Sequence, residues 1–151
     1  MAFRKNIFDE LGYFDELLGA GVSGCSEDSE MWFRILAHKH TIHYNPRAIV
    51  YHEHRTEMNG LKKQIYSYMR GFTVAALSQQ KQIPESGYNH QIFKRLPIQY
   101  LKSIKRGFPE YSFQYKTIWV EMKGILSGLL FYRKYRNQFI HSARKIKKVA
   151  Q

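Results

Sequence analysis

The stretch GCSEDSEMWFRIL, residues 24–36, places acidic side chains directly before an apolar run. Ser26 belongs to the residue types that cap helix N-termini. Glu27 and Asp28 would then lie in the first helical turn, where carboxylates favour the positive end of the helix dipole. The apolar residues that follow recur with helical spacing. The stretch therefore predicts a helix that begins near Ser26 and ends near His38.

A glycine-rich segment precedes this helix and contains Gly19, Gly21 and Gly24. Glycine permits positive φ angles and lets a ligand approach the backbone closely. A carboxylate exposed beside such a loop is placed to act as a general base toward a substrate hydroxyl. From the spacing alone, helix capping remains the simpler interpretation of the acids. The surrounding sequence has to separate the two interpretations.

The rest of the chain predicts an α/β fold that is mostly helical and has few strands. Short apolar or alternating runs predict three strands, at residues 2–4, 41–45 and 47–54. Helical periodicity predicts four further helices, over residues 5–11, 58–82, 89–106 and 113–135. The helix over 89–106 is expected to be interrupted at Pro97. The last two helices are basic and amphipathic.

Two histidines end the predicted strand 47–54. Strand alternation puts the side chains of His52 and His54 on one face, with Glu53 on the other. Imidazoles at a strand end can ligate a divalent metal. An isolated pair of this kind is also common on protein surfaces, so the spacing alone leaves both interpretations open.

The excess of positive over negative charge lies entirely in the C-terminal part of the chain. The formal net charge is +12, and residues 94–151 carry 14 Lys or Arg against two acids. Such a segment favours an anionic partner, either a membrane surface or nucleic acid. An apolar stripe over 118–130, interleaved with basic residues, favours the membrane surface. The alternative is a basic helical module that binds nucleic acid without enzymatic activity, although no helix-turn-helix or zinc-finger spacing is present.

Other features exclude whole classes of protein. A single cysteine, Cys25, excludes a disulfide framework and a Cys-rich zinc site. No apolar run reaches the roughly 18 residues that a membrane-spanning helix needs. A peripheral location on the inner, cytoplasmic face of the plasma membrane is therefore expected.

In chain order, these features resemble the C-terminal half of family 2 glycosyltransferases of the GT-A fold. That region of the family runs as an AFR-like strand, an FDE segment, a glycine loop, an ED pair opening a helix that contains an Arg, and a Pro-led strand ending in His. The matching segments here are Ala2–Arg4, Gly12–Glu16, Glu27–Asp28, Arg34, Pro46 and His52. The resemblance is strong over residues 1–55 and looser over 56–136.

The resemblance implies a role for each acid of the ED pair. Asp28 would be the general base that deprotonates the acceptor hydroxyl, so that the sugar transfers from a nucleotide donor with inversion. Glu27 would shape the acceptor site. The acceptor loop would comprise Gly21, Gly24 and Ser26. The acceptor expected from the family is a glycan or a lipid-linked glycan, and the enzyme would be of the hexosyltransferase type.

The resemblance also implies a metal. His52 would help to hold a divalent cation, Mg²⁺ or Mn²⁺, that neutralises the leaving diphosphate. His54 and Arg34 are candidate helpers. The family's DxD motif is absent, because the only aspartates are Asp9, Asp15 and Asp28. We therefore expect a fragment in which residues 1–57 form the acceptor side of the catalytic domain and residues 58–151 a helical basic extension at the membrane surface.

The donor-binding half, with the cation, is expected to be a missing N-terminal segment. The expected protein partner of this chain is that segment or a second copy of the chain. The QxxRW signature of processive synthases is also absent, which favours transfer of a single sugar.

Overall fold

The computed structural model describes residues 2–51, 53, 56–107 and 114–149, with the backbone alone from residue 140 onward. The described residues form six α-helices: α1 Asn6–Leu11, α2 Glu27–Ala37, α3 Met58–Gln82, α4 Tyr88–His90, α5 Leu96–Lys105 and α6 Ile118–Val149. A π-helical turn at Gln91–Arg95 joins α4 to α5, and 3₁₀ turns lie at Pro84–Ser86 and Gln114–Lys116. The prediction of a mostly helical chain is confirmed.

The strand predictions are wrong wherever the structure describes the chain. Residues 2–4, 41–45 and 48–51 belong to no strand. A strand is stable only when its backbone pairs with a neighbour, and the described residues supply none. Apolar side chains of this region consequently face solvent, with Val50 86% and Tyr51 97% exposed. The end of the predicted strand, with His52 and His54, lies outside the described residues.

The helix predictions follow the structure closely. The helix predicted over 58–82 is α3, and the one over 5–11 is α1, closed by Gly12 at φ +78°. The interruption expected at Pro97 is wrong, because helical residues continue without a break from Tyr88 to Lys105, with the π-helical turn Gln91–Arg95 directly before Pro97. The helix predicted over 113–135 begins later and continues to Val149.

The parallel pair α3 and α6 is the scaffold of the molecule. Two glycines of α6 allow the close approach: a Cβ on Gly124 would lie 2.7 Å from the Tyr66 carbonyl oxygen, and one on Gly128 would lie 2.7 Å from the Arg70 carbonyl oxygen. Glycine within a helix costs about 1 kcal/mol relative to alanine. The backbone contact that it permits offsets this cost. The Tyr66 hydroxyl also bonds Ser127 Oγ at 2.8 Å.

Buried apolar residues form three clusters around this pair. One joins α3 and α6 to the loop before α2 and contains Leu18, Val74, Ala75 and Phe139. A second holds α1 against α2 and contains Leu11, Met31 and Ile35. The third joins α3 to the π-helical turn and contains Ala76, Leu77 and Ile92. The first cluster holds the chain before the acids through Leu18, and the second holds the helix after them through Met31 and Ile35.

The apolar stripe predicted over 118–130 is not one surface. Ile118 is buried and Leu129 packs against the α3 cluster. Met122, Leu126 and Leu130 instead face solvent. The helix has one buried and one exposed apolar face, and the spacing of apolar residues in the sequence does not distinguish the two. No helix in the described ranges is long and apolar enough to cross a bilayer.

Candidate functional site

An open cavity of about 420 Å³ lies at the N-terminus of α2, a size within the usual range of small-molecule sites. Its lining residues are Cys25, Ser26, Glu27, Asp28, Ser29, Tyr68 and Phe72. The structure therefore brings both acids of the predicted site to one cavity. It also adds two aromatic side chains from α3, some 40 residues later in the sequence. Sequence reasoning missed Tyr68 and Phe72, since their helical periodicity says nothing about which loop α3 meets.

The loop before α2 is held against α3 by two close contacts. A Cβ on Gly24 would lie 3.0 Å from Ser67 Cα, so a side chain here would collide with α3. Gly24 also has φ +120°, a backbone conformation that would be strained in a residue with a side chain. The thiol of Cys25 lies 3.6 Å from the Tyr68 carbonyl oxygen. These contacts place the first turn of α2 beside α3. Gly24 and Gly21 themselves are not among the residues that line the cavity.

Ser26 occupies the N-cap position of α2 but does not cap with its side chain. Its φ is +84° and ψ is +14°, a left-handed conformation, and its hydroxyl makes no capping hydrogen bond. Side-chain capping requires an extended N-cap residue, so that part of the sequence prediction is wrong. Its hydroxyl lies 3.2 Å from Cys25 Sγ, and its carbonyl accepts the Glu30 N–H at 3.0 Å. Left-handed conformations of this type cost about 1–3 kcal/mol and concentrate at functional sites.

Asp28 lies in the first turn of α2 and is half-buried. Its Oδ1 accepts the backbone N–H of Ser29 at 2.7 Å and lies 3.3 Å from the Ser29 hydroxyl. Hydrogen bonds of this kind orient the carboxylate, and the helix dipole stabilises its charge. Asp28 therefore both complements the helix dipole and lines the cavity.

Glu27 is turned toward the glycine loop. A Cβ on Gly19, whose φ is +99°, would lie 3.3 Å from Glu27 Cδ. Glu27 Oε2 is buried and accepts no hydrogen bond from any residue that the structure describes. A buried acceptor without a donor is uncommon in proteins. This oxygen is turned toward the glycine loop at Gly19 and is closed off from solvent.

The guanidinium of Arg34 holds α1 to α2 and does not line the cavity. It bonds Glu30 Oε2 at 2.9 Å, the Leu11 carbonyl at 2.7 Å and the Tyr13 carbonyl at 2.8 Å. Both Arg34 and Glu30 are buried. Desolvation raises the pKa of Glu30, and the charge of Arg34 partly counteracts that rise. These contacts make Arg34 a structural anchor for the start of the glycine loop.

The predicted metal ligand His52 and its neighbour His54 lie outside the described residues. Among the residues described, no three His, Cys, Asp or Glu side chains approach closely enough to hold a cation. The described donor set thus does not fit a complete metal site. Burial also raises the pKa of the Cys25 thiol, which keeps it protonated and makes it a poor nucleophile.

Comparison with known protein families identifies a match over most of the chain. A family model described as glycosyl transferase family group 2 matches residues 1–141 of the 151. No curated protein and no solved structure matches the chain. The matched range includes every residue that lines the cavity.

Proposed function

This chain belongs to glycosyl transferase family group 2, and we propose that the cavity at the start of α2 is the acceptor side of an inverting glycosyltransferase site. The observation that carries the proposal is that Glu27 and Asp28 line one cavity. Both acids belong to the segment whose resemblance to the family implies acceptor activation. The donor is proposed to be a nucleotide sugar, and the acceptor a glycan or a lipid-linked glycan.

In the proposed reaction, Asp28 acts as the general base. Its carboxylate removes the proton from an acceptor hydroxyl while the hydroxyl oxygen attacks the anomeric carbon of the donor. The bond between that carbon and the nucleoside diphosphate breaks, and the diphosphate leaves with the bonding electrons. The attack comes from the face opposite the leaving group, so the configuration inverts. The hydrogen bonds from Ser29 support this role by fixing the carboxylate at the cavity wall.

Glu27 and the aromatic side chains are proposed to bind the acceptor. Glu27 lines the cavity beside Asp28, and its carboxylate is proposed to accept a hydrogen bond from a second acceptor hydroxyl. Tyr68 is 53% exposed, and with Phe72 it gives the α3 side of the cavity an apolar wall. Binding sites commonly combine such a wall with a few polar groups that fix orientation. Together these residues would hold the acceptor ring while Asp28 meets one hydroxyl.

The donor and its divalent cation are proposed to be bound mainly by residues outside the described part of the chain. The described residues contain no complete cation site, so no step above passes through the metal. Residues 48–51 support a further sheet in the working enzyme, because their apolar side chains are exposed and their strand-forming sequence has no partner among the described residues. His52, next in the sequence, stays a proposed ligand.

The proposal is tested by replacing Asp28 in the complete enzyme. Asp28→Asn keeps the shape and the Ser29 hydrogen bond but cannot take the proton. We expect transfer to fall by about 10²–10⁴-fold, the usual contribution of a general base, with donor binding unchanged. Asp9→Asn, on the exposed surface of α1, is the matched control. Near-normal release of nucleoside diphosphate by Asp28→Asn would remove this residue from the proposed role.

A further inference from the structure

A second cavity lies between α3 and the beginning of α6. Its volume is about 350 Å³, and it is lined by Lys62, Lys63, Tyr66, Ser67 and Val120. We call it the lysine cavity, and the cavity at the start of α2 the acid cavity. The two share no lining residue. Binding sites for small molecules commonly have volumes of this order. The molecule therefore has a second cavity of ligand size, separate from that of the proposed reaction.

The lysine cavity and the acid cavity lie on opposite sides of α3. Successive residues of an α-helix are rotated by about 100°, so the four α3 residues of the lysine cavity, two on each of two successive turns, occupy one face. The same geometry places Tyr68 and Phe72 of the acid cavity on the reverse face. Ser67 lies at the edge of the first face, where the thiol of Cys25 is 3.7 Å from its carbonyl oxygen. A ligand in the lysine cavity would therefore be separated from the acids by the helix itself.

The two lysines of this cavity carry charges that no ion pair neutralises. Neither Lys62 nor Lys63 is paired with an acid in the part of the chain that the structure describes. The helix α3, described over its whole length, contains no aspartate or glutamate. Glu121, in the first turn of α6, is engaged elsewhere, since it accepts hydrogen bonds from Thr117 Oγ1 at 2.8 Å and from the Tyr100 hydroxyl at 3.0 Å. The cavity is therefore positively charged.

Two further features of the lysine cavity favour an anion. The hydroxyl of Ser67 makes no hydrogen bond to a described residue, so it is free to donate one to a ligand. Val120 belongs to the first turn of α6, a helix of 32 residues, and the positive end of the helix dipole favours negative charge there. The nearest acid before α3 in the sequence is Glu57, which forms no ion pair with a described residue. A hydroxyl donor and a helix dipole thus add to the two ammonium charges.

The remaining wall of the lysine cavity is apolar. The hydroxyl of Tyr66 donates a hydrogen bond to Ser127 Oγ at 2.8 Å, which fixes the tyrosine ring against α6. Val120 faces the same cavity from α6, and both side chains are half-buried. A ligand that fills the cavity would therefore cover apolar surface in addition to meeting positive charge. It needs an apolar part as well as an anionic group.

We propose that the lysine cavity binds a small organic phosphate, with the phosphate group at Lys62, Lys63 and Ser67 and the apolar part between Tyr66 and Val120. A phosphate monoester carries a charge of about −1.5 to −2 at neutral pH and has three strong acceptor oxygens. These match two ammonium groups, which bind phosphate as point charges, and one hydroxyl. A nucleoside monophosphate and an alkyl phosphate both offer this chemistry. The inference goes beyond the proposed transfer reaction, because it concerns the reverse face of α3 and neither acid of the acid cavity.

Isothermal titration calorimetry of the full chain with three probes tests the proposal. The probes are inorganic phosphate, hexyl phosphate and uridine monophosphate. We expect at least one organic phosphate to bind about tenfold more tightly than inorganic phosphate, since burying two methylene groups contributes a factor of about that size. The organic phosphate that binds more tightly shows whether the site favours a nucleotide or an alkyl chain. Equal affinity for all three probes, or binding of none, would overturn the proposal.

Substitution of the lysines tests where the phosphate group binds. Lys62→Gln with Lys63→Gln should weaken the binding of the tighter organic phosphate about tenfold, because two charge contacts are lost. The matched control, Lys5→Gln with Lys81→Gln, removes the same charge at exposed positions elsewhere. It should leave the affinity within about twofold of the wild type, because distant exposed charges are screened by salt. Equal weakening by the two pairs would show that only net charge matters and would refute the site.

Two further variants separate the polar part of the site from the apolar part. Val120→Ser should weaken the tighter organic phosphate about tenfold and leave inorganic phosphate unchanged. Ser67→Ala should weaken every phosphate probe about fivefold, since it removes one donor and keeps the carbonyl that contacts the loop. The control for the apolar substitution is Val50→Ser, at a position that is 86% exposed and outside the cavity. Thermal unfolding of each variant confirms that the fold is kept.

Asp28→Asn distinguishes the lysine cavity from the acid cavity. Because the two lie on opposite faces of α3, this variant should bind the organic phosphate within about twofold of the wild-type affinity. A loss of binding as large as that of the Lys62 and Lys63 double variant would place the probe in the acid cavity and overturn the inference. Loss of sugar transfer by Asp28→Asn has no bearing on it, so the two proposals fail independently.

Discussion

Gly71 of α3 faces Cys25 of the acid-bearing loop so closely that a side chain has no room. A Cβ on Gly71 would lie 2.6 Å from the Cys25 backbone nitrogen and 2.7 Å from its Sγ. Residues 58–82 therefore help to position Asp28, although they lie far beyond it in the sequence. The proposed division at residue 57 stays a prediction, and in this structure the two segments pack directly on each other.

The first prediction concerns this contact. Gly71→Ala should destabilise the protein by about 1–3 kcal/mol, because the added methyl group collides with the loop. In an unconstrained helix the same change would stabilise by up to about 1 kcal/mol. Lys63→Ala, exposed on the same helix, is the control and should have little effect. Urea unfolding measures both, and a Gly71→Ala variant as stable as the wild type would contradict the observed packing.

The second prediction concerns the anchor between α1 and α2. Arg34→Met should lower the free energy of unfolding by about 3–5 kcal/mol, since it leaves Glu30 buried without its charge partner. The double variant Arg34→Met with Glu30→Met should recover part of that loss, because both charges are then removed. Chemical unfolding of the single and double variants measures the coupling. If the loss in the double variant equals the sum of the losses caused by the two single substitutions, the ion pair with Glu30 is not how Arg34 stabilises the fold.

The third prediction concerns pH. Burial raises the pKa of Asp15 above its usual 3.8, while a hydrogen bond from the Leu17 N–H and the charge of Arg34 partly offset that rise. A carboxyl with a raised folded-state pKa contributes stability below about 3.8 and loses it as pH rises through the raised value. Asp15→Asn should therefore be more stable than the wild type at neutral pH, and the difference should shrink on acidification. Thermal unfolding across pH 3–7 measures the difference between the two proteins, and a difference that stays constant over this range would refute the assignment.

The fourth prediction separates the two acids of the cavity. Glu27→Gln should raise the acceptor KM about tenfold with kcat nearly unchanged, since it weakens a charged hydrogen bond to bound acceptor. Asp28→Asn should instead lower kcat. Steady-state kinetics of the complete enzyme with varied acceptor distinguish them. A fall in kcat for Glu27→Gln of the size seen for Asp28→Asn would give both acids a part in the chemical step.

The candidate site was only partly accessible to sequence reasoning. The acids at 27 and 28 are recognisable because their local order with the glycine loop and Arg34 resembles a known family. Tyr68 and Phe72 are not, because their place in the cavity depends on α3 meeting the loop through Gly71 and Cys25. Ser26 is a similar case: its residue type predicts a cap, but loop packing holds its backbone in a left-handed conformation.

By itself the sequence determined the helices and the family. Helix bounds such as Met58–Gln82 follow from local hydrogen bonding and apolar spacing, which neighbouring residues settle among themselves. Only the tertiary structure decided which predicted strands remain unpaired and which face of α6 stays exposed. A strand needs a partner from another part of the chain, and an apolar row is buried or exposed according to what packs on it. Those are relationships between distant residues, and local sequence cannot specify them.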